Sequence, residues 1–344
     1  MSRLLPNTFA LGLTNLACAE WIRGGRPLRV VYLLVFATAV VRCDVLLLLA
    51  PVGMHLIISG ALSLPKAVAH GLAALAVSLA LTVPLDSLFW GRFVWPEARV
   101  LIFNGGGRSS AWGVSPPLWY LTSALPRALL IAAPLAPLGA LLERRLRPQA
   151  FAVAFFVGVY SLLPHKELRF IFPILPLCNA LAAAATVRCF RRVYRTRFRG
   201  LSMCVLGALL CGQVAAKAAL TWAAAWNYPG GWAMVRAEAL VGSDSAVRLH
   251  VDVLPAMTGV TRFAHPPTWE VFKSENLSDA ELQASGATHL LSARGEVAGF
   301  EMLQAVDGFV RLAPVLAPLP LKLHTAPQVF IHRRLDTGLH DLGH

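Results

Sequence analysis

The sequence has 344 residues, of which 56% are hydrophobic and 14% are charged, and its mean hydropathy is +0.60. About a quarter of the residues of an ordinary soluble domain are charged, so this composition indicates a membrane protein. The formal net charge is +13, but the Lys and Arg residues fall in short clusters between apolar runs, which argues against a nucleic-acid-binding protein.

Eight apolar segments approach the 17 to 25 residues, roughly, that a transmembrane helix needs. Several contain Pro or Gly, which membrane helices tolerate when neighbouring groups satisfy the freed backbone atoms. The predicted spans are Leu4–Ala19, Val30–Val41, Val45–Leu64, Ala67–Leu85, Pro117–Leu142, Gln149–Leu163, Phe170–Val187 and Leu201–Trp222.

The basic clusters lie on alternate connections between these spans. They are Arg23 to Arg29, Lys66, Arg144 to Arg147, and Arg188 to Arg199. Because Lys and Arg accumulate in cytoplasmic loops, we expect these connections to face the cytosol. The other connections, with everything after about Ala223, then face the lumen.

The chain is accordingly predicted to be an α-helical polytopic membrane region (1–223) followed by a small luminal α/β domain (224–344). In the second part, short strand-like runs occur at Val247–Val253, Thr288–Ser292 and Gln328–Arg334, and Ser278–Ser285 is amphipathic. None of the six Cys residues lies there, and no pair of them has metal-ligand spacing, so neither disulfides nor a metal site is expected.

A cluster of titratable residues, His165, Lys166, Glu167 and Arg169, separates two apolar segments on the predicted luminal face. One interpretation is that the long cations simply reach lipid head groups at the ends of spans. The other is that they bind an anionic lipid phosphate, because Lys166 and His165 would share one face with Arg169 if the backbone here is helical. Glu167 would then orient these cations or pair with Arg127.

Several segments resemble a known family. They are HKELRF (165–170), LDSLFWGRFVWPEARVLIFN (85–104), SSAWGVSPPLWYLTSALPR (109–127), NYPGG (227–231) and HVDVLPAMTGVTRF (250–263). Together they are similar to the endoplasmic-reticulum mannosyltransferases that use dolichyl-phosphate mannose, a multispanning family of the GT-C class.

The resemblance implies a reaction at the luminal face of the endoplasmic-reticulum membrane. Mannose would pass, with inversion, from dolichyl-phosphate mannose to the seven-mannose dolichyl-diphosphate-linked oligosaccharide in α-1,6 linkage, for protein N-glycosylation. No nucleotide, metal or other cofactor is expected. His165, Lys166 and Arg169 match the residues that would bind the donor phosphate, and Glu167 matches an orienting residue.

Asp86, Trp90, Trp95 and Glu97 match a second family pattern, DSxFW followed by WPE. The two Trp rings would stack on sugar or anchor the chain at the membrane interface, and the two carboxylates are the remaining candidates for the general base. Relatives carry an acidic loop beside an EFPG-like sequence that includes the base assigned in this family. Since this sequence has no such stretch, we expect that the first part of the family domain is missing and that the chain alone transfers mannose poorly.

Three alternatives stay open at this point. The HKE core is shared with a mannosyltransferase of glycosylphosphatidylinositol assembly, and a catalytically inactive membrane protein that binds polyprenyl phosphate would also keep the basic cluster. Pro-interrupted spans are typical of transporters, but no parallel halves are evident.

Overall fold

The computed structural model describes residues 5–106, 109–110, 113–195, 197–243, 245–261, 263, 265–275, 277–314 and 321–335. The chain forms two compact units, Met1–Leu210 and Cys211–His344.

The first unit is helical. Most of its helices begin with Pro in the first turn, where the missing N–H has no intrahelical partner to lose. Its helices are α1 (Pro6–Arg23), α2 (Pro27–Phe36), α3 (Leu46–Ile58), α4 (Leu64–Trp90), α5 (Pro96–Gly105), α6 (Leu125–Leu129), α7 (Ala132–Leu142), α8 (Arg147–Leu162) and α9 (Leu175–Tyr194). Helix α10 (Arg199–Ala225) contains the boundary between the two units.

Irregular turns interrupt or connect several of the helices. A π-helical turn extends α2 to Val41, and Arg42 is then extended (φ −157°, ψ 115°) before α3 begins. Leu130 has φ 53° at the break between α6 and α7, where the chain bends by 100°. A 3-10 turn, Leu168–Ile174, leads into α9.

Each of the eight predicted spans overlaps a helix, but the helices differ in length. Within the described ranges, three are long and apolar enough to cross a membrane: α4, α9 with its preceding 3-10 turn, and α10. The bent pair α6 and α7 would make a fourth. A helical membrane protein is therefore confirmed, whereas eight crossings remain a prediction.

Backbone packing is very close between α7 and α9. A Cβ atom added at Gly139 would lie 1.9 Å from the carbonyl oxygen of Leu181, so only glycine allows this contact. The core around it is built from buried side chains of α1, α2, α3, α8 and α9, among them Leu34, Leu48 and Phe156.

The second unit contains a five-stranded mixed sheet with strand order β2-β1-β3-β5-β4. The strands are β1 (Arg248–Val251), β2 (Glu270–Phe272), β3 (His289–Ser292), β4 (Phe300–Pro314) and β5 (Leu321–Arg334), and the helices are α11 (Pro229–Val241), α12 (Val253–Met257) and α13 (Asp279–Ala284). Strand β1 pairs in parallel with β2 and β3, and β5 is antiparallel to β3 and β4.

The predicted strands and helix of the C-terminal part are confirmed as β1, β3, the end of β5, and α13. Helix α13 begins with a capping box in which Ser278 and Glu281 exchange hydrogen bonds with each other's backbone. Strands β2 and β4 were not predicted. They flank the sheet at its two edges.

Candidate functional site

The segment from His165 to Glu167 lies between α8 and the 3-10 turn before α9, and it is not helical. Leu163 leaves the helix (φ −73°, ψ 137°) because a residue before proline, here Pro164, is pushed out of the helical region. Glu167 is also extended (φ −133°, ψ 151°). The helical backbone on which the predicted convergence of the cations was conditional is therefore absent from this segment.

Lys166 is buried, with 6% of its surface exposed. Its Nζ donates to the carbonyl oxygens of Leu163 at 2.6 Å and Ser115 at 3.1 Å, and the Ser115 N–H donates to the Pro164 carbonyl at 2.9 Å. Burial lowers the pKa of Lys166, while the two carbonyl dipoles favour its ammonium. Lys166 thus ties the loop before α6 to the loop before α9, a structural role that is an alternative to the phosphate binding predicted from the sequence.

Glu167 lies between His165 and Arg169. Its Oε1 accepts from Arg169 Nη2 at 2.6 Å and lies 3.1 Å from His165 Nε2, and its Oε2 is 2.6 Å from Arg169 Nε. Arg127 instead binds the backbone oxygen and hydroxyl of Ser123. The geometry therefore favours the orienting interpretation of Glu167 over a pair with Arg127.

The Phe170 ring brings a fourth cation beside this segment. Arg42 lies 5.5 Å and Arg169 5.8 Å from the ring centroid, distances at which a guanidinium is attracted to the ring face. Tyr160 stacks on the same ring at 5.8 Å, and His165 meets it edge-on at 5.8 Å. The connection between α2 and α3 is thereby joined to the loop between α8 and α9.

Arg42 in turn holds Asp44, which sequence reasoning did not select as a site residue. Arg42 Nε lies 3.0 Å and 3.1 Å from the two carboxylate oxygens, and its Nη2 lies 2.5 Å from Oδ2. The Tyr160 hydroxyl donates to the same Oδ2. The sequence does carry a signal for this pair, because Arg42 and Asp44 are charged residues between two apolar runs, as are the residues of the His165 cluster.

Asn7 completes the network from α1. Its Nδ2 donates to the backbone oxygen of Arg169 at 3.0 Å, and its Oδ1 accepts from Arg42 Nη1 at 3.4 Å. The residue is 4% exposed. A buried amide that serves both arginines fixes the spacing of the two connections, and we call the set of Asn7, Arg42, Asp44, Tyr160, His165, Glu167, Arg169 and Phe170 the charged network.

Glu97 and Trp95 lie beside this network. Glu97 Oε2 accepts from the Cys43 N–H at 2.6 Å, directly between Arg42 and Asp44 in sequence. Burial raises the pKa of Glu97, and the Cys43 N–H opposes that effect. The Trp95 indole N–H donates to the Ala39 carbonyl at 2.9 Å, so the ring is fixed.

A largely apolar cavity of about 610 Å³ opens next to these two residues. It lies among α2, α3, α4 and α5, and it is lined by Val35, Thr38, Ala39, Cys43, Leu46, Leu49, Ala67, Val68, Gly71, Leu72, Leu75, Trp95, Glu97, Ala98, Leu101 and Ile102. The Glu97 carboxylate therefore borders an apolar space on one side and the charged network on the other.

Asp86 and Trp90 make only local contacts among those described. Asp86 Oδ2 accepts from the Thr82 hydroxyl one turn earlier, at 2.6 Å. Trp90 is 60% exposed, and the Arg92 guanidinium lies 5.8 Å from its ring centroid. The structure brings Glu97 and Trp95 to the network but gives Asp86 and Trp90 no contact with it in the described part of the chain.

The chemistry of the network follows from its charges. Two guanidinium groups and one imidazole share two carboxylates, and Arg169 is the most accessible cation, with 43% of its side chain exposed. Oriented guanidinium groups bind phosphate oxygens in a fork. Over the described ranges, no group of three or more His, Cys, Asp or Glu residues is placed to hold a metal ion.

Comparison with known proteins gives a family. Residues 1–224 match the Alg9-like mannosyltransferase family, and this is well over half of the chain. The chain belongs to this family. The resemblance noted from the HKELRF and WPE segments is thereby confirmed.

Within the Alg9-like family, two similar proteins are both named Dol-P-Man:Man(7)GlcNAc(2)-PP-Dol alpha-1,6-mannosyltransferase. The Arabidopsis thaliana protein is 36% identical over 340 residues, which is 97% of this chain and 68% of that protein. The Drosophila melanogaster protein is 34% identical over 354 residues, which is 97% of this chain and 51% of that protein. This chain thus spans about half to two thirds of the length of these relatives.

A GPI alpha-1,2-mannosyltransferase 3 from Mus musculus is 31% identical over 182 residues, or 52% of this chain and 34% of that protein. This match is partial, whereas the α-1,6-mannosyltransferases align along nearly the whole chain. No solved structure matches the chain.

Proposed function

We propose that this chain transfers mannose from dolichyl-phosphate mannose, in α-1,6 linkage, to the seven-mannose dolichyl-diphosphate-linked oligosaccharide. The proposal rests on one observation above all: the charged network holds two arginines and a histidine around Phe170, in a member of the Alg9-like mannosyltransferase family. Two relatives that align with 97% of the chain carry the name of this reaction.

The donor phosphate becomes the leaving group of the transfer, so negative charge on it must be stabilised as the sugar bond breaks. Arg169 carries this role in the proposal, with His165 beside it, because both are oriented by Glu167 and partly open to a ligand. Arg42 adds a second guanidinium, which is already paired with the Asp44 carboxylate. Lys166 stabilises the loop by donating hydrogen bonds to two backbone carbonyls.

Inverting transfer also needs a base near the acceptor hydroxyl. Of the two carboxylates selected from the sequence, Glu97 is favoured over Asp86, because Glu97 lies beside the charged network and burial raises its pKa. A carboxylate with a raised pKa is a stronger base than an exposed one. Trp90 is exposed enough to stack on sugar. The Trp95 ring is held by its hydrogen bond to Ala39 and lines the apolar cavity.

The site is proposed to face the lumen of the endoplasmic reticulum, in a multi-pass arrangement. The support is the alternation of basic and non-basic connections, which puts the run from Arg188 to Arg199 on the cytosolic side. Protease treatment of sealed microsomes tests this. We expect the C-terminal unit to be digested only after detergent is added.

The reaction is tested with microsomes from a strain that lacks the eighth-mannose enzyme. The chain is expressed there, and radiolabelled dolichyl-phosphate mannose and the seven-mannose acceptor are supplied. We expect labelled mannose in the lipid-linked oligosaccharide, removable by an α-1,6-specific mannosidase, at the low rate expected of a chain without the EFPG-like acidic loop. Label in a glycosylphosphatidylinositol precursor instead, or no transfer, would contradict the proposal.

A pair of variants tests the phosphate role. Arg169→Gln should lower transfer by about 10-fold to 100-fold, the equivalent of one charge-assisted hydrogen bond. Arg127→Gln is the matched control, because Arg127 is an exposed arginine whose described contacts, with Ser123 and the Trp119 ring, lie outside the charged network. Equal transfer by the two variants would remove Arg169 from the site.

A further inference from the structure

A second cavity, of about 880 Å³, lies beside the C-terminal ends of α7 and α9. It has no part in the proposed transfer reaction. Four arginines line it: Arg188, Arg191, Arg192 and Arg195. Its remaining lining includes small and apolar side chains of α9, namely Ala183, Ala184 and Val187. The lining of the cavity is therefore strongly basic, with a small apolar patch of Ala183, Ala184 and Val187 that we call the apolar floor.

The helix packing explains why space opens here. Helices α7 and α9 touch at Gly139 and Leu181. Helix α7 ends at Leu142, with Glu143 extended (φ −116°, ψ 94°), while α9 continues to Tyr194. The last turns of α9 consequently run past the end of α7, and alanine at 183 and 184 leaves the intervening space unfilled.

The charges in the cavity are not balanced by the protein. Glu143 is the single carboxylate among the described lining residues, and it pairs with Arg188 at 2.7 Å. Arg191, Arg192 and Arg195 follow at helical spacings of three and four residues, so they share one side of α9 with Arg188. Like charges so placed repel one another, which a bound polyanion would relieve.

We propose that this cavity binds an anionic phospholipid. The phosphate-bearing head group lies among Arg191, Arg192 and Arg195, and the upper part of an acyl chain covers Ala183, Ala184 and Val187. Basic pockets between transmembrane helices are known to hold such head groups. A cluster that only orients the chain in the membrane needs net positive charge, but it does not need a cavity with an apolar floor.

The test uses the full chain, purified in a neutral detergent, with phosphatidylinositol 4-phosphate as the probe and native mass spectrometry as the measurement. We expect phosphatidylinositol 4-phosphate to bind and phosphatidylcholine not to. Arg191→Gln with Arg195→Gln should weaken binding about 30-fold, from the loss of two cations near a phosphate. Arg23→Gln with Arg26→Gln is the matched control, because it removes the same charge from another basic connection and should leave binding unchanged.

A further variant separates a lipid from a soluble phosphate. Ala184→Phe fills the apolar floor without changing the charge, and it should weaken binding of the lipid but not of free inositol phosphates. Equal weakening by the two arginine pairs, or equal binding of phosphatidylcholine, would overturn the proposal and leave the cluster a topological signal. Lipid binding unchanged by Ala184→Phe would likewise overturn it, in favour of a site for free phosphate.

Discussion

Lys166→Met separates a structural role of Lys166 from direct phosphate binding. Lys166 Nζ donates to two backbone carbonyls, 2.6 Å and 3.1 Å away, in a site where the residue is 6% exposed. Methionine has a similar length and is apolar, so the substitution removes the donor without opening a large cavity. The carbonyls of Ser115 and Leu163 would then be left without this partner.

The expected loss can be worked out from these contacts. A hydrogen bond to a charged group contributes about 1.5 to 3 kcal/mol, but the buried ammonium also carries a desolvation cost, as the lowered pKa of Lys166 indicates. The difference leaves a net destabilisation of about 2 kcal/mol for the two bonds. For a unit of this size that corresponds to an unfolding temperature lower by roughly 4 to 8 °C.

The assay is thermal unfolding in detergent, followed by donor binding measured on the folded fraction. Lys66→Met is the matched control, because Lys66 is exposed at the start of α4, and it should leave the unfolding temperature unchanged. We expect Lys166→Met to lower the unfolding temperature and to keep the donor affinity of the folded protein. An unchanged unfolding temperature together with a loss of donor affinity would refute this reasoning and make Lys166 a phosphate ligand.

Three further substitutions probe other contacts. Tyr160→Phe removes a hydroxyl donor from a buried carboxylate, so it should destabilise the protein by about 1.5 to 3 kcal/mol; unaltered thermal unfolding would mean that this bond contributes nothing. Glu97→Gln should reduce transfer at least about 100-fold if Glu97 is the base, whereas Asp86→Asn should not. A base acts when it is deprotonated, and burial raises the pKa of Glu97 above 4.5. Transfer by the wild-type chain should therefore be present above this raised pKa and be lost as the pH falls through it. Loss of activity only at or below pH 4.5 would exclude Glu97 as the base. Gly139→Ala should lower the free energy of unfolding by about 1 to 3 kcal/mol, because its Cβ would meet a backbone oxygen. Gly158→Ala, which has open space around it, should leave the free energy of unfolding unchanged or raise it by up to about 1 kcal/mol. A similar unfolding temperature for both variants would contradict the close packing at Gly139.

Much of the architecture follows from the order of residues alone. Long apolar runs such as Ala67–Leu85 lie in α4, because an apolar stretch in lipid must satisfy its own backbone hydrogen bonds. The runs at Val247–Val253 and Thr288–Ser292 contain β1 and β3, because they are rich in Val, Leu and Thr between turn residues. The charged residues His165 to Arg169 lie between α8 and α9, because a charge at membrane depth is costly.

Which side chains meet was decided by tertiary structure. Asp44 and Tyr160 are 116 residues apart in sequence, and no local pattern relates them. The HKELR cations do not converge along a helix, because Pro164 ends helical backbone before His165. Lys166 is drawn inward by carbonyls of two loops, while Arg42 arrives from a different connection. Composition and periodicity depend on a residue and its near neighbours in sequence. The partners of a buried charge depend instead on how helices that are distant in sequence pack together, and this packing gives the charged network its geometry.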